Sequence, residues 1–140
     1  MGNSLLIAGE HSTWIHDSRV SQLAFYLKAH LTRSPQLPPD ILSHKEALIE
    51  AMNHDLQGIF TGSLDLGCEL VKKEGLEAGW RHILIEVQAA LENRSGMIPA
   101  EELRQIDQLC VHHDPKQKFY SLPTQELINE LERVIQLFPV

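Results

Sequence analysis

The chain is 140 residues long, 43% hydrophobic and 22% charged, with a formal net charge of -7. That balance suits one domain with a core that needs no disulfide staples, and an acidic total argues against a general nucleic-acid binder, which carries a basic face. Cys68 and Cys110 match no CxxC spacing, the apolar stretch Leu5-Leu6-Ile7-Ala8 lacks the basic leader of a secretory signal, and no run approaches the roughly 18 apolar residues of a membrane span, so a cytoplasmic protein with reduced thiols and no membrane partner is expected.

The apolar period is helical nearly throughout, which predicts an all-α fold. A first helix is expected over about residues 17–32, with Val20, Leu23, Ala24, Leu27 and Leu31 on one face and Asp17 as its cap. Arg33-Ser34-Pro35 ends it, and residues 36–40, rich in proline, read as a loop. Ser43-His44-Lys45-Glu46 has capping-box spacing and opens a second helix that buries Leu48, Ala51 and Met52 and ends on His54-Asp55.

A third helical region covers roughly residues 64–93, with its stripe at Leu76, Trp80, Ile83, Leu84, Val87 and Leu91. Gly67, Gly75 and Gly79 interrupt its early part and suggest two helices with a bend, and Ser95-Gly96 closes it. A fourth helix opens at Pro99, carries Glu101 and Glu102 in its first turn, turns Leu103, Ile106, Leu109 and Cys110 inward, and stops at His112-His113-Asp114-Pro115. A last helix is expected over about residues 124–138. The expectation is a compact single-domain bundle of five to six helices over residues 1–140, without repeats or linkers.

The eight histidines matter through their placement. His16 stands at the mouth of the first helix, three residues before Arg19-Val20, and Leu23-Ala24 follow. The second helix ends on His54-Asp55, with Thr61-Gly62 beyond it. Asp107 sits within the fourth helix beside Ile106. The dipeptide His-Asp alone is weak, since it also occurs at His16-Asp17 and His113-Asp114, and only the copy at 54 has an apolar helix before it and Thr-Gly after it.

These pieces resemble the HD superfamily of metal-dependent phosphohydrolases, and within it the small 5′-deoxynucleotidases and phage-type HD hydrolases. The resemblance covers residues 11–114, roughly, and is strongest at 16–24 and 48–64. It implies His16, His54, Asp55 and Asp107 as ligands of a divalent ion, with Asp114 competing for the last position. Two imidazoles and two carboxylates suit Mn, Co, Fe or Zn, and Mg less well. The implied activity is hydrolysis of a small phosphorylated substrate, a nucleotide above all, by a metal-activated water, and family members often form homodimers, for which the stripe from Leu76 to Leu91 leaves room.

Two departures stand against a complete catalytic set. Gly58 occupies the position of a family Glu, and Ser63 that of an Asp after Thr-Gly. Asp65 and His11 are the replacement candidates for acid–base work, where such groups contribute about two to four orders of magnitude in rate. Lys72 and Lys73 are the candidates for binding the substrate phosphate. The alternative reading is a lapsed HD scaffold that binds a ligand or a protein without turnover. A weaker third reading is a small acidic protein that neutralises a basic partner.

Overall fold

The computed structural model describes residues 2–58, 64–94, 96–111 and 113–139. Thr61-Gly62 and Ser63, with Ser95 and His112, lie outside the described residues, so the sequence readings that fall on them have no structural counterpart here.

The chain opens with strands where no regular element was expected. Strands β1 (Asn3–Ala8) and β2 (His11–His16) pair antiparallel, with Ala8 opposite His11. The two residues between them form the hairpin turn, and Gly9 at its first position has φ +63°, as the II′ turn of a right-twisted hairpin requires. Alternation then sorts the side chains. Ser4, Leu6, Ala8 and Ile15 are buried, while Ile7 and Trp14 stay exposed on the outer face. The strand pair corrects the all-α expectation. The apolar run Leu5-Leu6-Ile7-Ala8 shows no period-two pattern of its own, so its faces are set by what packs beneath it.

Strand β2 runs straight into helix α1 (Asp17–Arg33). The expected core face, Val20, Leu23, Ala24, Leu27 and Leu31, is fully buried. The cap is His16 and not Asp17: the His16 Nδ1 accepts from the Ser18 N–H at 3.2 Å. Asp17 instead accepts from the Ser4 Oγ at 2.6 Å and donates its N–H to the Gly2 carbonyl, which ties helix to hairpin. The stretch expected as loop over residues 36–40 is irregular through Pro38, but its last two residues open a short helix, α2 (Pro39–Ser43), in which Pro39 in the first turn has no N–H to lose. Helix α3 (Lys45–Gln57) follows with His44 at its N-cap position, without a side-chain cap bond and without a capping box; the Ser43 hydroxyl bonds to the Pro39 carbonyl instead. Leu48 and Met52 are buried, and Ala51 is half-buried.

The third helical region is two helices. Helix α4 (Cys68–Glu74) ends at Gly75, which is left-handed, and α5 (Glu77–Arg94) carries the expected stripe. Gly79 lies inside α5, and its role is close approach: a Cβ there would lie 2.8 Å from Asp40 Oδ1 and from Ile41 Cγ1 of α2. A second strand pair, β3 (Met97–Ile98) with β4 (Leu122–Pro123), flanks helix α6 (Ala100–Asp107). Because α6 stops at Asp107, Leu109 falls off the helical period and is half exposed, against the inward orientation expected for it.

Helix α7 (Thr124–Ile135) packs on α5. The Arg81 guanidinium of α5 donates to the Ile135 carbonyl at the end of α7 and to the Phe138 carbonyl beyond it. Buried side chains from Leu6 in the hairpin to Phe138 at the far end form one apolar cluster. Seven helices and two strand pairs make up the described residues, and none of those helices is long and apolar enough to cross a membrane.

Candidate functional site

Asp55 is 1% exposed at the end of α3. Its Oδ2 accepts the Leu66 N–H at 2.8 Å, and its Oδ1 lies 3.6 Å from the half-exposed His54 Nδ1. Leu66 has φ +51°, a left-handed conformation that costs a non-glycine residue roughly 1–2 kcal/mol. Asp65 braces the same turn by accepting the Gly67 and Glu69 amides at 3.0 and 3.1 Å, at the mouth of α4. Burial, and after it the charge of Asp65, pushes the Asp55 carboxyl up to about 6, against the opposing pull of the Leu66 amide and His54. In this arrangement both aspartates hold a buried turn in place.

The other residues singled out from the sequence belong to other elements or loops. His16 is exposed at the α1 cap, its Nδ1 2.7 Å from the Ser18 Oγ. Asp107 ends α6 and lies 3.6 Å from His113 Nδ1. Asp114, the competitor for the last ligand position, is exposed and accepts the Lys116 amide. His11 is exposed at the tip of the hairpin. Lys72 and Lys73 occupy the last turn of α4, and the Lys72 Nζ is 3.8 Å from Glu77. Among the described residues no three His, Cys, Asp or Glu side chains are disposed to hold a metal ion.

Gly58, where the resemblance leads one to expect a glutamate, ends α3 in the left-handed region at φ +64°, with its N–H on the His54 carbonyl. A side chain at that position would be strained.

The feature that sequence reasoning missed is a cavity of about 510 Å³ between the first turns of α1, the end of α3 and α6. Leu56, Leu64, Leu103, Ile106 and Phe119 supply apolar walls. Asp17, Ser18, Ser21, Gln22, Asp107 and Gln117 supply polar groups, and Cys110 also lines it. Several of these polar groups are already engaged. The Ser21 Oγ donates to the Asp55 carbonyl at 3.0 Å, and Gln22 accepts from Arg19 at 3.1 Å. The Asp107 Oδ2 is different: it is out of contact with water and has no donor within hydrogen-bond reach, the His113 Nδ1 standing off at 3.6 Å. Volume and lining fit a small-molecule pocket, which typically spans about 300–1,000 Å³ of mostly apolar wall with a few placed polar groups. Leu103, Ile106 and Phe119 carry no sequence signal that separates a cavity wall from a packed core. No protein-family model, no curated protein and no solved structure matches the chain.

Proposed function

We propose that this chain is a binding module: a helical scaffold of HD-like ancestry that holds a small molecule in the cleft between α1, α3 and α6 without turning it over. The observation that carries this reading is the cavity itself, with apolar walls and the donor-less Asp107 Oδ2. A buried acceptor without a donor is unfavourable by about 1–3 kcal/mol, and a bound ligand that supplies the donor removes that penalty. Gly58 in place of a carboxylate supports the absence of turnover. The test is a thermal-shift screen of a small-molecule library on the wild type and on Ile106→Trp, which fills the cavity. Ligands that raise the melting temperature of the wild type and not of the variant support the reading; an empty screen ends it.

A metal-dependent phosphohydrolase acting on a nucleotide is the second reading. What favours it is the His54–Asp55 pair with Asp65 close enough to raise the Asp55 pKa. Metal content of the purified protein, with nucleotide hydrolysis measured after addition of Mn, Co or Zn, decides it. Stoichiometric metal that is lost in Asp55→Ala together with activity replaces the binding-module reading.

A further inference from the structure

We infer that the cavity takes a ligand with a protonated amine or amidine on an apolar body, and rejects phosphate. The inference rests on the binding-module reading and adds the chemical class of the ligand.

The lining holds two carboxylates, Asp17 and Asp107, and no lysine or arginine among the described residues. Lys72 and Lys73 sit on α4, outside the lining, with Lys72 directed to Glu77. The backbone adds to the same sign. Helix α6 ends at Asp107 and α3 ends at Gln57, next to the lining residue Gly58, so two C-terminal helix ends, each carrying partial negative charge, border the cavity.

Two features oppose this. The first turn of α1 brings its partial positive end to Asp17 and Ser18, where the Asp17 carboxylate offsets it. His113 lies 3.6 Å from Asp107 but has a partly exposed side chain, open to screening by water. The balance is negative, in a chain whose formal net charge is also -7. A phosphate would meet two carboxylates and, among the described lining residues, no lysine or arginine; Arg19, beside the lining, is engaged by Gln22 and Glu126. An ammonium would bring the Asp107 Oδ2 a donor within hydrogen-bond reach, which His113 at 3.6 Å is not, and Phe119 in the wall is of the residue type that attracts a cation.

The experiment compares three probes of one chain length, octylamine, octanol and octyl phosphate, by calorimetry near neutral pH on the wild type, Asp107→Asn and Ile106→Trp. Octylamine is expected to bind at least about tenfold more tightly than octanol, and octyl phosphate not at all. Asp107→Asn, which keeps shape and folding as checked by circular dichroism, is expected to bring octylamine down to the level of octanol, and Ile106→Trp to abolish both. Equal binding of octylamine and octanol to the wild type overturns the charge inference and leaves the cavity reading standing. Tightest binding of octyl phosphate overturns it in favour of a phosphate site. No binding by any probe overturns both.

Discussion

The Asp55 carboxylate accepts the backbone N–H of Leu66 at 2.8 Å, and Leu66 is the only non-glycine residue with positive φ among the described residues. The second half of the His54-Asp55 doublet is thereby committed to holding a strained, fully buried turn. Asp55→Ala is expected to leave that amide without an acceptor and to destabilise the protein by about 1–3 kcal/mol in urea unfolding without added metal. A metal ligand with no structural role would leave the metal-free protein unchanged.

The pH dependence follows from the same carboxylate. Burial raises its pKa from 3.8 in the unfolded chain to about 6 in the folded one. The folded state keeps the proton longer, so this group's contribution to stability is fully present below about pH 4. It declines as pH rises towards about 6 and is level above that. The decline is on the order of 3 kcal/mol. Asp55→Asn, which has no charge to bury, is expected to flatten the stability profile across that window relative to wild type.

Gly79→Ala tests the packing of α2 on α5. Alanine is the better helix former by about 1 kcal/mol, yet its Cβ would meet Asp40 Oδ1 and Ile41 Cγ1 at 2.8 Å. Overpacking of this kind costs about 1–3 kcal/mol, so net destabilisation is expected, part of it recovered by Asp40→Ala. Stabilisation by Gly79→Ala would mean that α2 is free to move away.

Glu102 of α6 accepts from the Tyr26 hydroxyl of α1 at 2.5 Å and from the Arg94 guanidinium of α5 at 2.7 Å. Arg94 also lies 5.9 Å from the centroid of the Tyr26 ring. Three helices meet in this network. A double-mutant cycle of Tyr26→Phe with Glu102→Gln is expected to give a coupling of about 0.5–1.5 kcal/mol, as for a partly buried charge-assisted bond. Additive effects of the two substitutions would remove the link between α1 and α6.

The two cysteines differ in reactivity. Cys68 is 1% exposed, and burial, with the charges of Asp65 and Asp55 behind it, pushes its thiol up to about 12. Cys110 is half-buried and lines the cavity. A thiol reagent is expected to modify Cys110 in the native protein and Cys68 only on unfolding. Mass mapping of the labelled peptide checks this, and a ligand in the cavity should slow labelling at Cys110.

Helical stripes were legible in the residues themselves. The i, i+3, i+4 spacing of Val20, Leu23, Ala24, Leu27 and Leu31 and of Trp80, Ile83, Leu84 and Val87 determines which faces are buried, because 3.6 residues per turn leaves one solution. Gly75 likewise marks the break between α4 and α5 through its left-handed backbone. The hairpin was not legible, since Leu5 to Ala8 is a continuous apolar run and only the core beneath it decides which two face inward. Gly79 reads as a helix interruption in sequence, and only the approach of α2 makes it a contact point. The same holds for the site. The order of residues puts His54 beside Asp55, but whether a carboxylate meets a metal, a ligand or a buried amide depends on what the tertiary fold brings to its oxygens. For Asp55 that partner is Leu66, eleven residues on. The cavity is the extreme case: its walls are made of the same residue types, at the same helical spacing, as the packed core, and an empty volume is a property of how helices meet, which no single stretch of sequence contains.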